Sequence, residues 1–285
     1  MIDTLKKTLM VSRPISWPNT AYPFAAAYLL AGGDNWVLLI IGTLFFLIPY
    51  NLLMYGVNDI FDYESDIRNP RKGGIEGMRE QRALHPTIAK AIIVSTVPFV
   101  AYLLLVGSLI ANIVLAVVLF FVVAYSIAKL RFKERPVLDS LTSSIHFVGP
   151  AVYALALTQF DPVAWPYVIA FLLWGMASHA FGAVQDIIPD REGKIASIAT
   201  FMGARNTVYF ALFLYSAAAA LLFTQAFPYS LIGLVGVMYV VNILPLYTIT
   251  DKTSGRANKY WRRFIWMNLV SGFFITVILL CTHVI

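Results

Sequence analysis

Charge is scarce in this chain. Only 13% of its 285 residues are charged and 59% are hydrophobic, whereas soluble domains carry about 25% charged residues. That shortage excludes an ordinary soluble domain. Cysteine is scarcer still, with Cys281 alone, so no internal disulfide or cysteine zinc cluster is open to the chain. Cys281 is expected to pack within the last apolar segment. A cleavable leader is not expected either. In MIDTLKKTLMVSRP, Ile2, Leu5, Leu9 and Met10 are spaced as one side of a surface helix rather than as an apolar core run, which predicts an interfacial helix over 1–16.

What the chain has in abundance is apolar runs long enough to span a bilayer. Nine spans are expected, at 17–33, 36–59, 88–107, 109–128, 138–158, 163–186, 204–225, 228–249 and 263–284. The fold class that follows is all-α: a polytopic membrane protein, one bundle and one domain over 1–285. Connections after the first, third, fifth and seventh spans are short; the others are longer and charged. All 21 Lys and Arg fall before the first span, in those longer connections or at their edges. By the positive-inside rule this places the N-terminus in the cytoplasm and the C-terminus outside. The net charge of +6 then reflects topology and attraction to anionic membrane lipids, not nucleic acid.

The scarce acids are concentrated. NDIFDYESD closes the second span with Asn58, Asp62 and Asp66 four residues apart and Asp59 and Glu64 among them. A step of four advances about 40° on an α-helix, so these side chains share a face. Carboxylates about 4 Å apart repel by roughly 1 kcal/mol in water and roughly 4 at an effective dielectric of 20. Charge at membrane depth marks function by default. An all-oxygen donor set without thiolate favours Mg²⁺, so Asn58, Asp59, Asp62 and Asp66 are candidate metal ligands. A second site, HAFGAVQDIIPDREGKIASIATFMG, carries Asp186 and Asp190 at the cytoplasmic end of the sixth span. Pro189 between them predicts a broken helix with Asp190 supplied by a loop. Mg²⁺ commonly shares one or two carboxylates with substrate phosphates, and basic residues stand near both motifs. Arg68, Arg71 and Lys72 follow the first, Arg191 and Lys194 follow the second, and Tyr125 and Lys129 are read as helical neighbours ending the fourth span. Arg131 lies just beyond. Asp139 is expected to cap the fifth span, and His146 to be a satisfied core histidine. His179 stands seven residues before Asp186, on what is read as the same face.

These motifs together resemble the UbiA superfamily of intramembrane prenyltransferases. NDIFDYESD is similar to its N-x-x-x-D-x-x-x-D motif, DIIPDREGKIASIATFMG to its second aspartate motif, and YSIAK to its Tyr–Lys element. SRPISWPNTAYPFAAAYLL, NPRKGGIEG and HAFGAVQDIIPDREG look like the lycopene elongases of C50 carotenoid pathways. Tyr63 departs from the basic residue that many members carry there, with Arg68 as a substitute.

The resemblance implies Mg²⁺, as two ions, held by Asn58, Asp62, Asp66, Asp186 and Asp190 with Asp59 as ligand or support. It implies a prenyl diphosphate, dimethylallyl diphosphate, bound with Asn58, Arg68, Lys72, Tyr125, Lys129, Arg131, Arg191 and Lys194. The acceptor it implies is lycopene, entering from the lipid, with Asp62, Asp66, Asp186, Asp190 and His179 as catalytic residues. His179 is one candidate for the group that takes the final proton. Cytoplasmic loops, chiefly 67–87 with Gly73, Gly74 and Gly77, form a cap over the site. A quinone precursor, tetrapyrrole or lipid glycerol is the alternative acceptor. An ion-coupled transporter is the non-enzyme alternative, disfavoured by acids at one face and the lack of an inverted repeat.

Overall fold

The computed structural model describes residues 2–66, 82–158 and 164–284. Among them every regular element is helical. The α-helices are α1 (Ile2–Val11), α2 (Pro18–Leu30), α3 (Trp36–Leu47), α4 (Pro49–Asp66), α5 (His85–Val106), α6 (Leu109–Ser126), α7 (Leu138–Leu157), α8 (Trp165–Val184), α9 (Ile187–Glu192), α10 (Ile198–Met202), α11 (Ala204–Phe223), α12 (Gly233–Ile243) and α13 (Ala257–Val284). Eight helical runs among the described residues are long and apolar enough to cross a membrane, and the chain is a multi-pass membrane protein. The expected count was nine. The segment expected as the first span forms only the 13-residue α2, with Pro23 inside it. At 1.5 Å per residue α2 spans about 20 Å, short of a hydrocarbon core of about 30 Å. Cys281, expected to be packed, is exposed on α13.

Two compact units each hold a core of their own: Met1–Phe132 with Ile145–Pro162, and Lys133–Ser144 with Val163–Ile285. In the first unit, Phe24, Phe45, Phe46, Tyr50 and Tyr153 are fully buried. Phe46 is their hub, with ring centroids 5.1 Å from Phe24, 5.0 Å from Tyr50 and 6.0 Å from Tyr153. The Tyr50 hydroxyl donates to the His146 carbonyl at 2.9 Å. His146 is itself buried, with Nε2 3.3 Å from the Phe121 carbonyl, as expected of a core histidine.

The expected second span is interrupted in the middle. Ile48 ends α3 and Pro49 opens α4. Proline has no N–H and clashes with the carbonyl one turn back, but fits the first position of a new helix. The break leaves carbonyls without helical donors, which is costly away from water. Asn51 meets this need: its Nδ2 lies 2.9 Å from the Phe46 oxygen and 3.0 Å from the Leu47 oxygen. Thr20 of α2 donates to the Phe46 oxygen at 2.7 Å, and Asn51 Nδ2 donates to Thr20 Oγ1 at 2.7 Å. A polar knot therefore sets the direction in which α4 leaves the break.

The second unit uses small residues to bring helices together. Ala177 and Ala180 on α8 and Ala204, Ala211, Ala218 and Ala219 on α11 are buried. A Cβ on Gly236 of α12 would lie 2.7 Å from the Ala219 Cβ, so only glycine allows that approach. Trp174, Tyr215, Tyr239, Trp261 and Phe264 fill the wider gaps, with Tyr215 and Tyr239 stacked at 5.3 Å and Trp261 and Phe264 at 4.8 Å. Leu105, Leu109, Phe213 and Phe273 are exposed and apolar, as lipid contact requires.

The knot can be tested at Asn51. Asn51→Leu keeps the branched shape but removes the side-chain donor to the Leu47 carbonyl and one of two to the Phe46 carbonyl, at a cost of about 1–3 kcal/mol. Its thermal unfolding midpoint in detergent should fall; an unchanged midpoint contradicts this account of the break.

Candidate active site

Asn58, Asp59, Asp62 and Asp66 all lie on α4, so the helical reading of the first motif holds for its backbone. Asp59 and Asp62 are 6% and 7% exposed, and ionised groups this buried need positive partners. Each has an arginine. Arg131 approaches Asp62 Oδ1 at 3.5 Å, and Arg13 Nη2 donates to Asp59 Oδ1 at 3.0 Å. The Arg13 guanidinium also lies 4.2 Å from the centroid of the Tyr55 ring. Tyr55 and Asp59 are one turn apart on α4, so one arginine engages both through a cation–π contact and an ion pair.

Both arginines sit on left-handed backbone, with φ of 50° at Arg13 and 40° at Arg131. That conformation costs a residue with a Cβ about 1–2 kcal/mol. At both positions the unfavourable backbone accompanies an arginine directed at an α4 carboxylate.

Asn58 donates from Nδ2 to the buried Ser126 Oγ at 3.1 Å, which ties α4 to the end of α6. Tyr125 lies edge-on to His146 at 5.0 Å. Tyr125 and Lys129 do not form the expected helical pair. The helix α6 stops at Ser126, Ile127 is extended with ψ of 135°, and the chain turns before the exposed Lys129. The side chain of Asp66 lies outside what is described, and Arg68, Lys72 and the cap loop over 67–81 lie outside the described residues. Tyr63 packs edge-on against His85 at 5.1 Å.

The second motif corrects the sequence reading. Helix α8 ends at Val184, before Asp186, and α9 resumes at Ile187. The interruption precedes Pro189 rather than following it, and Pro189 occupies the first turn of α9, where a missing N–H costs nothing. Asp190 is therefore helical, not a loop residue. Its N–H donates to the Asp186 carbonyl at 2.8 Å, which sets the two aspartates one turn apart. The same break removes the continuous helix needed to place His179 and Asp186 on one face.

Helix α9 then closes in a Schellman motif, with Ile195 N–H donating to the Asp190 carbonyl at 2.8 Å and Lys194 N–H to the Arg191 carbonyl at 3.2 Å. Lys194 holds the left-handed position, φ 56°, usually given to glycine. Arg191, expected at a diphosphate, is instead engaged by Asp251 at 2.7 Å and by the Thr200 carbonyl at 3.3 Å. Asp251 also accepts the Ala204 N–H that starts α11, at 2.7 Å. Ser197 and Thr200 form a capping box at the start of α10, and Gly203 turns the chain at φ 77°. Much of the motif's tail thus shapes the turns that follow Asp190. Asp139 is the second residue of α7 rather than the residue before it, so it is not the N-cap expected from the sequence; its carboxylate accepts the Ser140 amide at 2.6 Å and the Ile198 amide of α10 at 2.6 Å.

Sequence reasoning missed Arg13 and Asp251. Arg13 was counted only as a topological charge, although a tyrosine one turn before a motif aspartate marks a place for a guanidinium. Nothing in the spacing signals Asp251, which meets Arg191 across 60 residues.

The residues suit a hard cation. Every candidate donor is an oxygen, and no group of three or more His, Cys, Asp or Glu gathers among the described residues. Sets of one or two carboxylates suit Mg²⁺ when phosphate oxygens complete its shell.

Buried acids paired with arginines on apolar helices are the kind of polar centre that marks function in a membrane protein. The chain belongs to the UbiA prenyltransferase family, whose profile matches residues 20–272, and it is a prenyltransferase. It is 46% identical to a lycopene elongase/hydratase of Corynebacterium glutamicum, over 99% of both chains. It is 49% identical to the C(50) beta-cyclic carotenoids biosynthesis protein LbtBC of Dietzia sp., over 94% of this chain and 63% of that one. A UbiA homologue from Archaeoglobus fulgidus, solved with GPP and Mg²⁺, shares the fold at a TM-score of 0.68 and 15% identity, covering 94% of this chain and 99% of that one.

Two substitutions test the backbone geometry. Lys194→Gly relieves the left-handed strain and should raise stability by about 1 kcal/mol; a lower unfolding midpoint contradicts it. Arg13→Met leaves Asp59 buried without its guanidinium, at a cost of about 3 kcal/mol. Adding Asp59→Asn should recover most of that loss in a double-mutant cycle, and strictly additive losses would show that the pair is not coupled.

Proposed function

We propose that this protein transfers a dimethylallyl group from its diphosphate to the ends of lycopene, in C50 carotenoid synthesis. The observation that carries the proposal is the pair of buried carboxylates on α4, each facing an arginine on left-handed backbone. The near full-length likeness to a lycopene elongase/hydratase supports the acceptor.

In this reading Asp62 and Asp66 of the first motif and Asp186 and Asp190 of the second hold Mg²⁺, as two ions, with Asn58 completing the first set. Bound Mg²⁺ supplies positive charge to the departing diphosphate. Arg131 belongs beside the diphosphate, because it already faces Asp62; Lys129, Lys194, Arg68, Lys72 and Tyr125 supply further contacts. Arg191 is less suited to that role, being engaged by Asp251. Asp59 is assigned as support rather than as a metal ligand, since Arg13 already compensates its charge. The 67–87 segment is assigned as the cap, which sequesters the site from water.

Departure of diphosphate leaves an allylic cation, which aromatic faces stabilise and an apolar site shields from water. The lycopene end double bond then forms the new carbon–carbon bond. His179 is assigned the proton released afterwards. The N-terminus is assigned to the cytoplasm and the C-terminus to the outside, with the 3-10 turn Pro14–Ser16 and α2 together counted as the first crossing and α1 at the interface.

Membranes carrying the protein, given lycopene, dimethylallyl diphosphate and Mg²⁺, should yield C45 and C50 products by mass spectrometry. Asp62→Ala and Asp186→Ala should each reduce the yield at least about 100-fold, the scale of losing a group that acts on developing charge. Full turnover in both variants contradicts the metal reading. Prenylation of an aromatic acceptor with lycopene untouched contradicts the acceptor.

A further inference from the structure

His179 on α8 has a hydrogen-bond chain behind it. Its Nδ1 lies 3.1 Å from Ser140 Oγ, and Ser140 Oγ donates to Asp139 Oδ1 at 3.2 Å. Asp139 is fixed in turn by backbone amides, since Oδ2 accepts the Ile198 N–H at 2.6 Å and Oδ1 the Ser140 N–H at 2.6 Å. Asp139 and Ser140 are fully buried. The chain begins at Ile198, in the tail of the second aspartate motif, and ends at the imidazole.

The two contacts of Ser140 Oγ point to one tautomer. A serine hydroxyl has one hydrogen, and here it is directed at Asp139. The contact between Ser140 Oγ and His179 Nδ1 therefore needs its hydrogen from the imidazole. Nδ1 carries the proton, and in the neutral ring Nε2 carries the lone pair. The other core histidine is set differently. His146 Nε2 faces a backbone carbonyl, the Phe121 oxygen, at 3.3 Å; a carbonyl only accepts, so there the proton is on Nε2.

We infer that Asp139 and Ser140 are positioning residues that hold His179 as the Nδ1–H tautomer, so that Nε2 takes the proton released when the acceptor's cation is quenched. The inference rests on the prenyl-transfer reading above. The acceptor's terminal double bond forms a carbon–carbon bond to C1 of the allylic group, and the C–O bond breaks with its electron pair leaving on diphosphate. The tertiary cation left on the acceptor then loses a proton from an adjacent carbon, or binds the oxygen of a water that gives up a proton. One proton is released in either case, it goes to Nε2, and the imidazolium returns it to water. The relay stabilises that imidazolium through Ser140 and Asp139, as a base held by an oriented partner requires.

The test uses purified full-length protein in lipid nanodiscs, with ¹⁵N-histidine labelling and the His179 signals assigned from their loss in His179→Gln. In the wild-type protein the neutral ring should carry its proton on Nδ1. Ser140→Ala should abolish that preference and lower kcat at least about 10-fold, at the modest end of general-base effects, with KM for dimethylallyl diphosphate unchanged. Ser140→Thr, which keeps a hydroxyl, should restore both. A wild-type proton on Nε2 overturns the inference. So does a Ser140→Ala protein with the tautomer and kcat unchanged, or a Ser140→Thr protein that recovers neither. A wild-type protein showing the Nδ1–H tautomer but no prenyl transfer to lycopene would count against the elongase reading and leave the relay standing.

Discussion

A carboxylate carried on an apolar helix has to be met by positive charge, and on α4 the rest of the local structure follows from that requirement. Asp59 and Asp62 are buried, and their partners Arg13 and Arg131 come from segments 46 and 69 residues away in sequence. Both arginines accept left-handed backbone at these positions. Such strain persists only where the surroundings over-determine it. Around Arg13 the determinants are visible: the Asp59 carboxylate, the Tyr55 ring and Pro14, which opens the next turn. Removing the acid would leave little reason for the arginine to hold its conformation.

The two aspartate motifs also share a way of interrupting a helix. In each, a proline stands in the first turn of the second helix, Pro49 in α4 and Pro189 in α9. Each helix that carries a motif's spaced aspartates therefore begins afresh. Its direction depends on how the break is satisfied. At Ile48 the means are side chains, Asn51 and Thr20. The far end of α9 is held separately, by the Schellman turn at Lys194, the capping box at Ser197 and the Arg191–Asp251 pair. The residues that trail the second motif in sequence mostly build these turns.

The class of fold and the identity of the motifs were legible because they rest on local patterns. Apolar runs, four-residue spacing and the placement of Lys and Arg need no tertiary information. Helix interruptions were legible only in part. Pro189 signalled a break, but which side of Asp190 it fell on depended on whether proline ends one helix or starts the next, and α9 shows the second. Pro49 went unread because an apolar run hides a break that Asn51 and Thr20 repair. The Tyr125–Lys129 pair failed for a similar reason, since one extended residue, Ile127, ends the helical phase. Partners far apart in sequence, such as Arg13 with Asp59 and Arg191 with Asp251, carry no periodic signal at all. Proximity to a motif therefore gave no sign of the Arg191–Asp251 pair and overlooked Arg13.

The central claim is that the acids act through Mg²⁺ on a diphosphate. Its most direct test is calorimetric titration of dimethylallyl diphosphate into the purified protein in nanodiscs across a range of Mg²⁺ concentrations. Affinity should rise steeply with Mg²⁺ and be lost in EDTA. Equal affinity with Mg²⁺ and with EDTA would contradict it.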